Sequence, residues 1–314
     1  MKTVSLTDLF SSLESGSRPK GGIVEGVGEV PSLGAEHLNG QGGFNFTKLK
    51  MVPRDFFDSM SKGLIKQGDI LIVKDGATTG KVSFVDDDFP FAEASINEHV
   101  FLLRLKENKA FHKYVFWHLI STTGQQQILQ DFRGATVGGI SRGFTDKVEI
   151  PLPPLDEQRR IAAILDKADA IRRKRQESIR LTEEFLRSTF LEMFGDPVTN
   201  PKGWDIKKFV EVGSLDRGVS KHRPRNAPEL LGGLHPLIQT GDVANSDGYI
   251  RSYKSTYSEL GLKQSKMWPS GTLCITIAAN IAKTGILTFD ACFPDSVVGF
   301  APNSHTTTEY VQYW

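Results

Sequence analysis

Cysteine is nearly missing from these 314 residues: only Cys274 and Cys292 occur, with no CxxC pair. Neither a disulfide framework nor a cysteine zinc site is expected, and a reducing, cytoplasmic setting fits. No apolar run approaches the length of a membrane span, and the opening MKTVSLTDLF has no basic-then-apolar layout, which argues against membrane insertion and a signal peptide. Excess charge is lacking too: 38 Lys+Arg against 37 Asp+Glu leave +1. Bulk charge therefore announces no nucleic-acid binder, and any such footprint must be local. What is present is 39% hydrophobic content over a length of about two domains, enough for real cores.

Catalytic signatures fail in turn. Gly76-Ala77-Thr78-Thr79-Gly80-Lys81-Val82 looks like a phosphate loop, but it is one residue short between its glycines and ends on Val82 where a metal-binding hydroxyl belongs. The 7 histidines include no HExxH, and no serine stands in a GxSxG elbow. Asn200-Pro201-Lys202-Gly203 lacks the Asn-Pro-Pro-aromatic tetrad of an amino-methyltransferase, and Pro294-Asp295 has no downstream acidic-x-Lys of a nuclease metal site. No catalytic residue, metal site or cofactor is expected.

The sequence does repeat itself. Ser12-Leu13-Glu14-Ser15-Gly16 returns as Ser214-Leu215-Asp216-Arg217-Gly218, followed by Arg18-Pro19-Lys20 in one copy and Arg223-Pro224-Arg225 in the other. Pro31-Ser32-Leu33 aligns with Pro236-Leu237-Ile238, and Gly68-Asp69-Ile70-Leu71-Ile72-Val73 with Gly271-Thr272-Leu273-Cys274-Ile275-Thr276. Gly80-Lys81-Val82 is matched to Gly285-Ile286-Leu287, which makes the second connection longer by two residues. Each copy reads as an α+β module: strands are expected over 69–73, 81–85, 100–105 and 272–277, and a helix over 111–120.

Between the copies, residues 155–194 hold 8 acidic and 9 basic residues and no glycine or proline. Apolar residues recur at Ile161, Leu165, Ala168, Ile171, Ile179, Leu186, Phe190 and Met193, the spacing of one long amphipathic helix. Asp156 is expected to cap its start, and Gly195 with Pro197 to stop it. At 1.5 Å per residue it spans roughly 60 Å, and its apolar stripe needs a partner helix. The fold class is thus α+β, two similar β-rich modules joined by a long amphipathic helix that pairs as a coiled coil.

The candidate binding residues lie in polar loops at matching places. Lys74, Asp75, Thr78, Thr79 and Lys81 occupy one turn, and Asn280 and Lys283 its counterpart. Lysine and arginine can neutralise phosphates or donate to guanine, asparagine can pair with adenine, and aspartate can accept from cytosine. Arg18 and Lys20, with Lys221, Arg223 and Arg225, are equivalent basic clusters suited to phosphate. The glycine-rich stretch holding Arg133, Ser141 and Arg142 suits close backbone approach. A single tip alone favours ordinary hairpin-turn chemistry, and each basic residue alone reads as well as solvated surface; repetition with altered residues favours recognition.

Ile150-Pro151-Leu152-Pro153-Pro154-Leu155-Asp156-Glu157-Gln158-Arg159-Arg160-Ile161 resembles the segment with which specificity (S) subunits of type I restriction-modification enzymes begin a long helix. The loops Gly68-Asp69-Ile70-Leu71, Gly76 with Gly80-Lys81, and Gly134-Ala135-Thr136 to Ile140-Ser141 are similar as well. The resemblance implies a non-catalytic chain with a first target-recognition domain in residues 1–150, a helical spacer in 151–197 and a second, C-terminally incomplete domain in 198–314. Each domain would read one half of a split site in double-stranded DNA. It further implies docking of methyltransferase (modification) subunits, which use S-adenosylmethionine, and of ATP-driven restriction subunits. Tyr310-Val311-Gln312-Tyr313 corresponds to Tyr114-Val115-Phe116-Trp117, so a second long helix has no counterpart, whether the chain is a fragment or naturally short. A homodimer through the helical stripe is expected. The alternative is a duplicated structural adaptor binding protein partners, which salt-insensitive, sequence-blind behaviour would mark.

Overall fold

A computed structural model of the chain describes residues 3–23, 28–134 and 138–314. Two units emerge, Met1–Gln176 and Glu177–Trp314. The first contains β1 (Thr3–Ser5), α1 (Leu6–Leu9), β2 (Phe10–Ser15), β3 (Val30–Leu33), β4 (Met51–Val52), α2 (Arg54–Ser59), β5 (Ile70–Val73) and β6 (Val82–Phe84). It continues through β7 (Ser95–Ile96), β8 (Val100–Leu105), α3 (His112–Ile120), α4 (Thr122–Leu129) and β9 (Glu149–Pro151). Its sheets run β2-β8-β5-β6 and β4-β3-β7, with β1 paired to β9. β5 is a continuous apolar run because both of its faces are covered. Alternation sends Ile70 and Ile72 toward Val115 and Leu119 of α3, and Leu71 and Val73 toward Leu33 and Ile96.

The long helix α5 (Leu155–Phe194) follows as one piece. Asp156 does not cap it: its carboxylate points outward and accepts from Arg159 at 3.0 Å. The start is fixed by Gln158, whose Oε1 accepts from the Phe111 amide and whose Nε2 donates to the Pro153 carbonyl, both at 2.8 Å. Ala162, one turn on, is buried beside it. The helix stops at Gly195 (φ +82), where Lys202 Nζ donates to the carbonyls of Glu192 (2.6 Å) and Met193 (2.8 Å), satisfying its free C-terminal acceptors.

The stripe is not uniform. Ile161 packs on the core of the first unit, and Phe190 lies 5.8 Å from the Tyr310 ring in the second. Those two expected interface residues are therefore used inside their own units. Leu165, Ala168, Ile171, Ile179, Leu186 and Met193 remain exposed. No helix among the described residues is long and apolar enough to cross a membrane.

The second unit contains α6 (Phe209–Val212), β10 (Gly213–Arg217), β11 (Leu231–Leu237), α7 (Thr240–Ala244), β12 (Tyr249–Ile250), β13 (Ser255–Tyr257) and α8 (Glu259–Lys263). It ends with β14 (Met267–Trp268), β15 (Leu273–Thr276), β16 (Thr284–Leu287), β17 (Ala291–Cys292), β18 (Val297–Pro302) and α9 (Thr308–Tyr313). Its sheets run β10-β18-β15-β16-β12 and β13-β11-β17-β14. The first four strands of the first sheet repeat β2-β8-β5-β6, and β12 adds a fifth beside β16. In the second, β11 is antiparallel to β13 and parallel to β17, as β3 is to β4 and β7.

The register corrects one expected alignment. Ile72 pairs with Val82 and Ile275 with Thr284, while the amides of Val73 and Thr276 donate to Lys81 and Lys283, each at 2.9 Å. Lys81 therefore corresponds to Lys283 rather than Ile286, and the second hairpin tip is one residue shorter than the first, not two longer. Matching glycines misled because the left-handed position held by Gly80 (φ +88) is held by Ala282 (φ +62).

Candidate nucleic-acid interface

In the first unit the hairpin tip after β5 leans on the glycine-rich loop. The Lys74 carbonyl accepts from Ile140 N (2.8 Å), Gly76 N donates to Gly138 O (3.0 Å), and Arg133 and Gly139 exchange two bonds of 2.9 Å. Two loops nominated separately thus form one surface. Ala135 and Thr136, within the same stretch, lie outside the described residues.

Acids organise the cations here. Asp75 lies 3.5 Å from Lys74 Nζ and 2.5 Å from His99 Nδ1, and Glu98 lies 2.8 Å from Arg18 Nε. The buried Asp131 carboxylate accepts from the Ser141 amide and hydroxyl, each at 2.7 Å, and from Arg133 at 3.2 Å. Burial alone would raise the Asp131 pKa; the Ser141 and Arg133 hydrogen bonds outweigh it and hold the carboxyl below its ordinary value. The exposed Ser141 is thus tied down by the buried Asp131, Thr79 braces the tip by donating to Gly76 O (2.7 Å), and Arg142 donates to Leu13 O (2.7 Å). Lys81 is half-buried with Nζ 3.5 Å from Leu38 O, and Thr78 is half-buried. Arg18, Lys20, Arg133 and Arg142 are exposed.

The second unit repeats the device. Arg223 lies 3.4 Å from Asp295, and Arg225 pairs with the same carboxylate. Glu98 stands two residues before Val100, the partner of Val73, and Asp295 two before Val297, the partner of Thr276. The two acids are therefore equivalent. Chain turns of the same kind bring arginines to them: a Cβ on Gly16 would stand 1.8 Å from Ile96 O, and one on Gly218 2.3 Å from Pro294 O, approaches open only to glycine. Lys221 is exposed, its amide donating to Gln264 Oε1 at 2.7 Å. Asn280 and Lys283 are exposed on the tip, beside a cleft of about 390 Å³ walled by Arg225, Asn226, Gln239, Thr240 and Tyr257.

Sequence reasoning missed Glu98 and Asp131, and weighed Asp295 only as a nuclease metal ligand. The usable signal was an acid two residues before an apolar strand in both copies. The assembled groups, arginine, lysine, asparagine and amide donors on braced loops, are those that engage phosphates and base edges.

Fold and loops define a duplicated α+β protein that carries its modules on one long helix. The family model for the type I restriction modification DNA specificity domain matches residues 1–182, more than half of the sequence, and the chain belongs to that family. It is 26% identical over 167 residues to the type I restriction enzyme MjaIX specificity subunit of Methanocaldococcus jannaschii, covering 48% of this chain and 38% of that protein. To the MjaVIII specificity subunit of the same organism it is 21% identical over 203 residues, covering 61% and 44%. The chain thus spans less than half the length of these curated relatives. A type I restriction-modification system S subunit from M. genitalium shares the fold with a TM-score of 0.58 and 16% identity, over 99% of this chain and 75% of that one.

Proposed function

We propose that the chain reads DNA sequence as the specificity subunit of a type I restriction-modification assembly and catalyses no reaction itself. One observation carries this: two sheets that share a four-strand order present, at the same position, hairpin tips that share a lysine, Lys81 or Lys283, and otherwise differ in chemistry. A shared cation suits a phosphate, which is the same at every step, and divergent residues suit bases, which are not. Lys81 and Lys283 then meet phosphate, together with Arg18, Lys20, Arg133, Arg142, Lys221, Arg223 and Arg225. Lys74, Thr78 and Asn280 face bases, while Asp75, Thr79 and Ser141 hold the loops in shape. The functional parts are residues 1–150, 151–197 and 198–314.

On this reading the partners are double-stranded DNA, methyltransferase subunits and restriction subunits, within the cytoplasm. The exposed residues Leu165, Ala168, Ile171, Ile179, Leu186 and Met193 pair with a second copy. Methylome sequencing of a host given this chain with its cognate methyltransferase tests the proposal. A bipartite methylated motif that depends on the chain is expected; methylation unchanged by its removal overturns it.

A further inference from the structure

We infer that Ile281, at the tip of the β15–β16 hairpin, reads a thymine through apolar contact with its 5-methyl group in the major groove; this rests on the DNA-reading role proposed above. A lone exposed aliphatic residue is ordinary on a protein surface, and the 73% exposure of Ile281 alone would carry nothing. The backbone around it carries the inference. Ala279 (φ +44), Asn280 (φ +43) and Ala282 (φ +62) are all left-handed, a conformation that asparagine tolerates and that is disfavoured for alanine. The first module fills such positions with Gly76 (φ +96) and Gly80 (φ +88), so the same hairpin is open to glycine. Unfavourable backbone of this kind persists only where its surroundings over-determine it, and it concentrates at functional sites.

The surroundings are visible. The buried Thr276 hydroxyl donates to the Asn280 carbonyl at 2.5 Å and accepts from the Lys283 amide at 3.0 Å, and the Ala282 amide donates to the Thr276 carbonyl at 2.9 Å. The tip therefore holds Ile281 outward in one geometry, which lowers the ordering cost of a contact. Asn280 precedes it and Lys283 follows within reach of a backbone phosphate. A two-stranded ribbon fits the major groove, where thymine alone among the four bases presents a methyl group.

The test begins by selecting duplexes from a random-sequence library with the full 314-residue chain. The selected site is then remade with each thymine replaced singly by uracil, and affinities are measured for the wild type and Ile281→Ala. One replacement should weaken the wild type about fourfold, the worth of one buried methyl, and leave Ile281→Ala unaffected. A site in which no replacement matters, or in which the effect survives in the variant, overturns the role of Ile281 and leaves DNA reading standing. So does a uniform loss in the variant on thymine and uracil duplexes alike, the mark of a wedge between base steps. Enrichment of no sequence by the wild type overturns DNA reading itself. If the variant folds poorly, a wild-type uracil series without effect still overturns the role of Ile281.

Discussion

Gln158→Ala removes one side chain that ties α5 to two other segments. Gln158 is 1% exposed, and its hydrogen bonds to Phe111 N and Pro153 O are both 2.8 Å long. Truncation leaves both backbone groups unpaired. Each buried unpaired group costs about 1–3 kcal/mol, and water entering the vacated space offsets part of the sum, so the expected loss is ~3 kcal/mol. For a domain of 150–250 residues each kcal/mol moves Tm by about 2–4 °C, and the transition of the first unit should fall by roughly 6–12 °C in calorimetry of the full chain. Hydrogen exchange adds a local readout, because the Phe111 amide loses its acceptor and becomes labile. Glu157→Ala is the control: that partly exposed carboxylate pairs with Arg160, one turn along the helix, and solvent-facing pairs of this kind contribute little. A Gln158→Ala variant melting within about 2 °C of wild type, with the Phe111 amide still protected, would refute the reasoning.

The Asp131 carboxyl has a lowered folded-state pKa, so its contribution is complete above about pH 4 and is lost as pH falls through the folded value. Exchange of the Ser141 amide should therefore accelerate below about pH 4 beyond its intrinsic change, and Asp131→Asn should remove that dependence. Burial pushes the Cys274 thiol up to about 12 and raises Cys292 as well; neither should react with Ellman's reagent at pH 8 until the protein is unfolded. Lys81→Ala and Lys283→Ala should each flatten the salt dependence of log K by about 0.9 if each cation meets a phosphate, and an unchanged slope assigns the lysine elsewhere. Wild-type chain should sediment as a dimer at micromolar concentration and the Ile171→Glu/Ile179→Glu double variant as a monomer; a monomeric wild type sinks the pairing of the stripe.

The helix α5 was legible because 40 residues without glycine or proline keep a 3.6-residue rhythm broken only at Arg175 and Thr182, and β5, β8 and β15 because central strands are short apolar runs. The repeat was legible from landmarks, but its register was not. Glycine marks a left-handed position only when the protein uses glycine there, and Ala282 shows a braced turn doing without. α4 went unread because Thr122–Leu129 carries few apolar residues and relies on Ser121, whose hydroxyl accepts from Gly124 N at 3.1 Å. In the Glu157-Gln158 pair, sequence could not tell which residue is structural; burial decides for the glutamine. The cations of the candidate site were visible as residue types, whereas the acids that orient them act through space.

On the proposed reading, those acids bear on how a nearly neutral chain would read DNA. Arg18 against Glu98, and Arg223 and Arg225 against Asp295, are partly exposed pairs, worth about 0–1 kcal/mol each. Exchanging such a partner for a phosphate costs little, so the pairs hold each guanidinium in position without locking it. They also cancel charge at the loop end of each module. Because sequence-independent binding scales with the number of uncompensated cations, a neutralised surface holds random DNA weakly and binds well only where base contacts add to the phosphate contacts. On the proposed reading, a net charge of +1 suits a chain that would search much DNA and settle on little of it.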